Sequence, residues 1–248
     1  MQIDLADLEG RFVEAQKGKK SEHSAEIRLR PSRLRYDYPV LRALADAIHQ
    51  LVGCLADAPQ GAIALDLGSC RSPYRELLLS KGFVVRTLDL TLEEGVDYVG
   101  TVESTGLPDE SLHLVLCTQV LEHSDNPWLA AKEIRRILRP GGHAIISVPH
   151  VWFYHPHPHD HWRFTQEGLV RLCRENGLHP ETMLAQGGSI LAVGQILNFM
   201  VYGVLGRWGA PFYLLMNILA GGLDKLIPNQ LFCQNFACLA SRVDNGTQ

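Results

Sequence analysis

Ala64-Leu65-Asp66-Leu67-Gly68-Ser69 is the stretch that decides the fold. An apolar run ends in an acid, and a glycine follows at once. At a strand-to-helix turn the missing side chain lets backbone approach a ligand closely. Amides opening the next helix favour a ligand's polar groups. Roughly twenty residues on, a second strand, Val84–Leu88, closes on Asp89, the spacing at which an acid meets a ribose in dinucleotide folds. A carboxylate there can accept hydrogen bonds from both ribose hydroxyls. Glycine turn and strand-end acid together point to an adenosine-bearing cofactor.

Outward from this unit, strand and helix patterns alternate. Tyr74–Lys81 reads as helix, Asp97–Val99 as a weak third strand, Leu112–Cys117 as a fourth and Ala144–Val148 as a fifth. Asn126 is placed to cap a helix with Pro127 at its first position. Trp128, Ala131, Ile134 and Leu138 give that helix one apolar face, and Arg139-Pro140-Gly141-Gly142 stops it. Thr165 caps another helix, ended by Asn176-Gly177. Ahead of the first strand, Leu41, Leu44, Ile48, Val52 and Leu55 recur at helical spacing. Strands alternating with helices imply a parallel sheet covered on both faces. Residues up to about Pro39, including Lys17-Gly18-Lys19-Lys20 and Arg28, Arg30, Arg33 and Arg35, read as a solvated basic arm.

The motif order resembles the class I S-adenosylmethionine (SAM)-dependent methyltransferases, in their small-molecule, type 11-like branch. The resemblance rests on the Asp66–Ser69 turn, on Asp89, on Leu107-Pro108 leading through an apolar strand to Leu121-Glu122-His123, and on Leu138-Arg139-Pro140-Gly141-Gly142 before the fifth strand. It implies an α/β fold: a Rossmann-like seven-stranded sheet, its last strand antiparallel, with helices on both faces. It also implies SAM as cofactor, bound by Asp66, Gly68, Ser69 and Cys70 at the methionine end. Asp89 would take the ribose, with Leu90 beside the adenine, flanked by Val102 and Glu103. Cys117 and Gln119 would line the methionine side. The chain departs from the pattern at Cys70 and Ser72, where the family has further glycines. Thr101 stands where an acid often does, and His113 where an aspartate does.

The loop after the fifth strand carries His155, His157, His159 and His161 beside Asp160, Trp162 and Arg163. A similar Pro-His-Asp-x-Trp-Arg pattern occurs in a subset of the branch, and implies an acceptor pocket. His159, oriented by Asp160, is the expected proton acceptor; His155, Trp162 and Arg163 are the expected acceptor contacts, with Arg163 suited to an anion. A proline-broken histidine run does not supply tetrahedral geometry alone, so no metal is expected from it. His123 is expected to be structural.

From Thr182 to Gly206 no charged residue appears, and residues 209–223 form a second apolar run. The expected organisation is therefore an arm and helix (1–58), a SAM-binding core (59–186), an apolar helical insertion (187–230) and a last strand with tail (231–248). The insertion has three open readings: a lid, a peripheral membrane contact through 187–228, or a homodimer interface. The net charge of −4 gives no electrostatic case for nucleic acid. The acidic start lacks the apolar core of a secretory signal, and six scattered cysteines read as free thiols of a cytoplasmic protein. The expected activity is methyl transfer to an O or N atom of a small, apolar or lipid- or sugar-linked acceptor. A catalytically lapsed SAM-fold binding or scaffold protein is the alternative. A nicotinamide-dependent oxidoreductase shares the Asp89 logic but lacks Gly-x-Gly-x-x-Gly.

Overall fold

The computed structural model describes residues 25–68, 72–155 and 159–243. Helix α1 (Ala25–Leu29) and helix α2 (Tyr38–Cys54) precede a β/α series. The series runs β1 (Ile63–Leu67), α3 (Arg75–Ser80), β2 (Val84–Asp89), β3 (Tyr98–Val99), β4 (Leu112–Thr118), α4 (Pro127–Ile137), β5 (Leu138–Pro149), α5 (Gln166–Glu175) and β6 (Leu178–Gln186). Two long helices follow, α6 (Ser189–Leu205) and α7 (Ala210–Leu226), joined by a short turn, before β7 (Asn235–Arg242).

The seven strands form one sheet in the order β3-β2-β1-β4-β5-β7-β6. β7 runs antiparallel to both neighbours, as the motif order implied. Strand alternation sorts the core into two layers. Leu65, Leu67, Val115, Cys117, Ala144, Ile146 and Cys238 face α4 and α5. Ala64, Leu114, Leu116, Ile145, Ala237 and Leu239 face the other way, onto Leu44, Ile48, Leu51 and Val52 of α2. Both faces are dry, which is why the strands read as apolar runs rather than alternating ones.

Both expected helix caps are formed. The Asn126 side chain accepts from the amides of Trp128 and Leu129, and Thr165 accepts from Gly168. Trp128 itself does not join the core. It remains partly exposed, with its ring Nε1 donating to Glu175 and its face against Trp162.

The basic arm also differs from expectation. Lys17–Lys20 lies outside the described residues, but 25–37 is not a free tail. Asn217 of α7 donates to the carbonyls of Arg33 and Arg35, and Gln195 of α6 donates to that of Tyr36. Tyr36 stacks on Tyr202 at 3.8 Å. These backbone contacts are blind to side-chain identity, so the charge run that suggested solvent concealed the docking.

Candidate active site

The turn expected to cradle a cofactor begins where β1 ends. Gly68 takes φ +76°, and a Cβ there would stand 2.5 Å from Val120 Cγ2. Only glycine meets both conditions without strain. Its amide donates to the carbonyl of Leu88, which ties the turn to the end of β2. Asp66 is buried beneath it. Ser69 and Cys70 lie outside the described residues.

Asp89 sits half-buried at the end of β2, and its Oδ1 accepts from the amide of Leu90 at 2.7 Å. Among the described residues no hydrogen bond reaches its Oδ2, which suits a ligand hydroxyl. Leu90 beside it is exposed. Val102 is buried, and Glu103 accepts a short hydrogen bond from Ser124. Burial works against the Glu103 charge, but hydrogen bonds from Ser124, Thr101 and nearby backbone outweigh it and hold the carboxyl below its ordinary range.

The loop bearing Val102 and Glu103 is clamped from behind by a pair the sequence reading overlooked. Glu133 of α4 accepts from the Thr105 amide at 2.8 Å and hydroxyl at 2.6 Å. It also pairs with Arg136, which reaches on to Asp109 and the Leu107 carbonyl. Burial opposes the Glu133 charge, yet Arg136 and Thr105 pull its carboxyl down to about 2. The signal available in sequence was an i, i+3 acid–base pair on α4, which alone reads as surface decoration.

At the end of β4, Cys117 turns its thiol into the dry layer above α4, so only its backbone faces the cleft. Gln119 takes φ +56°, a left-handed conformation that persists only where surroundings enforce it. Here its amide and side chain bond the carbonyl and hydroxyl of Ser147. Gln186 also donates to the Ser147 hydroxyl, and Asn235 donates to Gln186. This buried polar cluster joins the carboxyl ends of β4, β5 and β6 to the amino end of the antiparallel β7. Sequence periodicity gave no sign of it, because it is assembled from four separate strands.

On the acceptor side the structure rearranges the expected roles. Asp160 does not orient His159. Its side chain is 1% exposed and forms a two-pronged ion pair with Arg163, Nη1–Oδ1 2.5 Å and Nη2–Oδ2 2.7 Å. The histidine it orients is His155, through both the backbone amide (2.9 Å) and Nδ1 (3.1 Å). Those hydrogen bonds and charges outweigh burial and lower the Asp160 carboxyl. Arg163 is likewise committed, donating also to the carbonyls of Trp162 and Phe153. The pair braces the loop; it does not present a free clamp for an anion. His159 is exposed and contributes its carbonyl to Nδ1 of His123. Trp162 donates to the Ser124 carbonyl at 2.8 Å.

His123 and its neighbour Glu122 belong to a short 3₁₀ turn, Leu121–His123, that leaves β4. The Glu122 side chain is 1% exposed. Burial pushes its carboxyl up to about 8, opposed in part by Arg163. Burial lowers His123 and so favours its neutral ring. A cleft of about 470 Å³ between Leu55–Pro59 and Arg139–His143 lies at the opposite, amino end of β4 and shares no residue with this region.

Residues 65–146 match the family profile described as a methyltransferase domain. No curated protein sequence matches the chain. Among solved structures, the chain resembles a Burkholderia thailandensis 1,6-didemethyltoxoflavin N1-methyltransferase crystallised with S-adenosylhomocysteine. The two are 17% identical with a TM-score of 0.54, over 97% of this chain and 89% of that one. It also resembles a geranyl diphosphate C-methyltransferase from Streptomyces coelicolor A3(2), at 14% identity and TM-score 0.55, over 84% and 81% of the two chains. A third is a "putative sarcosine dimethylglycine methyltransferase" from Galdieria sulphuraria, at 14% identity and TM-score 0.53, over 82% and 88%. Residues 65–146 therefore carry a methyltransferase domain, set in the fold shared by class I SAM-dependent methyltransferases.

Proposed function

We propose that the chain transfers the methyl group of SAM to an O or N atom of a small amphiphilic acceptor presented at a membrane surface. The stack of Phe153 on Phe199, at 3.9 Å between ring centroids, carries the acceptor half of this reading. It joins the loop after β5, where an acceptor would enter, to the apolar helix α6.

On the cofactor half, Asp66 and the Gly68 turn, with Ser69 and Cys70 beyond it, are the proposed methionine cradle. Asp89 is the proposed ribose anchor. Leu90, Val102 and Glu103 are proposed around the adenine, and the Cys117 backbone and Gln119 beside the sulfur. SAM supplies an already activated methyl on a sulfonium, so alignment contributes much of the rate. The chain's own share is to orient: the Glu133–Arg136 clamp fixes the adenine loop, and the Asp160–Arg163 pair fixes the acceptor loop. His155 and Trp162 remain the proposed acceptor contacts. His159 stacks on His161 at 5.5 Å, and its proposed role as proton acceptor rests on the sequence pattern.

The α6–α7 hairpin supports the membrane half. Its polar residues point inward: Asn198 bonds Asn217 at 2.8 Å, Gln195 and Asn217 hold the arm, and Asp224 accepts from the amides of Gly188 and Leu191. Its outer face is apolar, with Met200, Val204, Leu215, Ile218, Leu223 and Leu226 exposed. At the turn, Trp208 is 80% exposed beside Arg207, a pairing suited to a headgroup layer. The stretch Ser189–Leu226 is apolar enough to cross a membrane by composition. However, each helix has 17 residues, about 25 Å at 1.5 Å per residue, short of the ~30 Å hydrocarbon core. Both ends also return to one sheet edge, where Gln186 pairs with Asn235. The geometry suits a hairpin lying in the interface.

The test is two-armed. Calorimetry with SAM and S-adenosylhomocysteine should show binding, and tritiated methyl transfer should label a lipid or amphiphile fraction. Flotation with liposomes should carry the protein up, and Val204→Ser with Trp208→Ser should release it. No binding of either cofactor form at millimolar concentration sinks the enzyme reading. A dimer in solution with no flotation assigns the apolar face to a second copy instead.

A further inference from the structure

Glu122 and His123 leave β4 on the 3₁₀ turn, and His155 stands on the loop after β5. One ligating atom of each lies within 4.8 Å of the other two, and the two imidazole rings approach to 5.0 Å between centroids. We propose that Glu122, His123 and His155 bind one borderline divalent cation, zinc being the best matched, on the acceptor side of the cleft.

The donor set is two imidazoles and a carboxylate, which suits zinc and its first-row neighbours rather than magnesium or calcium. Three protein ligands leave a coordination position for water or an acceptor oxygen. The surroundings are arranged as metal-bound histidines require. A ligating histidine holds its second ring nitrogen on a carboxylate or carbonyl, which fixes tautomer and direction. His123 Nδ1 bonds the carbonyl of His159. His155 Nδ1 lies 3.1 Å from Oδ2 of the buried Asp160 and 3.1 Å from the carbonyl of Phe153. Both rings therefore keep Nε2 for a cation.

The third ligand makes the case independently of the histidines. Glu122 is almost wholly buried, and its Oε2 has no hydrogen-bond partner among the described residues. Its backbone carbonyl is used, accepting from the amides of His161 and Trp162. Arg163, the neighbouring cation, is already paired with Asp160. A buried carboxyl oxygen with no partner is costly, and a divalent cation held between it and the two imidazoles removes that cost. The histidine run after β5 contributes only one ligand, which is why its spacing alone did not suggest a metal. The other two come from the Leu121-Glu122-His123 element.

The chemical use of the cation rests on the methyl-transfer reading. A hydroxyl of the acceptor bound in the open position would lose its proton to solvent more readily. Its oxygen would then attack the methyl carbon as the carbon–sulfur bond breaks, with that electron pair passing to sulfur.

Metal binding is read without turnover. Full-length protein stripped with a chelator is titrated with zinc chloride by calorimetry, and in parallel with cobalt chloride by visible absorption. One site per chain is expected, with cobalt bands of a nitrogen/oxygen site. Glu122→Gln and His155→Ala should each weaken zinc binding by about 100-fold, at least what loss of an orienting neighbour costs. His179→Ala, on an exposed histidine of β6, should leave it unchanged. His155 is on a surface loop, so its variant decides the matter if Glu122→Gln does not fold. Absence of a site in the wild type, wild-type affinity in His155→Ala, or magnesium binding as tightly as zinc would each overturn the proposal. S-adenosylhomocysteine titrated into the same samples reads the cofactor site separately. Cofactor binding kept while zinc is lost fits both proposals, and zinc binding without cofactor binding fails only the methyl-transfer reading.

Discussion

The Glu133 clamp offers a quantitative test of how the loop bearing Val102 and Glu103 is held. Glu133 is folded into place with its side chain 10% exposed, so its interactions are little screened. Its carboxyl falls from 4.5 to about 2 through Arg136 and Thr105, against burial. At 1.36 kcal/mol per pKa unit, this depression amounts to about 3 kcal/mol of stability. The rise in the Arg136 guanidinium describes the same contact and adds nothing further. Because the folded pKa is depressed, the contribution is complete above the unfolded value of 4.5 and is lost as pH falls toward 2. At pH 3 about 1 kcal/mol remains. Glu133→Gln keeps an acceptor for Thr105 but loses the charge. Urea unfolding followed by circular dichroism should show the variant less stable by about 3 kcal/mol at pH 7. That gap should narrow to about 1 kcal/mol at pH 3. A gap that is small at pH 7, or the same at both values, would refute the charge-pairing account of the clamp.

Three further outcomes follow from the geometry. Gly68→Ala forces a Cβ at φ +76° and against Val120; a melting experiment should register about 1–3 kcal/mol of strain. Adding Val120→Ala should recover only the steric part, and a single variant as stable as wild type would contradict the turn geometry. Asp89→Ala should weaken S-adenosylhomocysteine binding by about 1–3 kcal/mol through lost charged hydrogen bonds, with stability nearly unchanged because the side chain is half-exposed; calorimetry and melting on one sample check both halves. Asp160→Asn breaks a buried ion pair and should cost about 3–5 kcal/mol, with Asp160→Asn/Arg163→Met recovering much of it, and an Asp160→Asn protein of wild-type stability would mean the pair does not brace the loop.

The fold was legible because its central strands are buried on both faces. Leu65–Leu67 and Leu114–Cys117 are almost wholly buried, and the caps at Asn126 and Thr165 are local chemistry that tertiary packing had no reason to override. β6 was not legible. Leu178–Gln186 carries Pro180 and mixed polarity and holds only an edge position, where one neighbour suffices and the register slips at Pro180/Thr182. The arm was misjudged for a related reason. Its docking runs through the carbonyls of Arg33, Arg35 and Tyr36, and a backbone oxygen leaves no mark in residue type.

The same distinction separates the two halves of the site. The proposed cofactor half draws on residues that are near in sequence to a strand end, so Gly68 and Asp89 announce themselves by position. The proposed acceptor half depends on which loop touches which. Asp160 stands next to His159 in the chain, and adjacency suggested the pair. In space the loop turns so that Asp160 faces Arg163 and His155, three and five residues away. His123, read as structural, is brought to His155 by the exit of β4, across 32 residues of chain. In an α/β sheet the carboxyl ends of non-consecutive strands converge. Chemistry assembled there joins residues that no local pattern connects. The apolar hairpin obeys the same logic. Gln195 and Asn198, which interrupt its hydropathy, are turned inward to hold it together, so the face left outside is more apolar than the sequence average suggests.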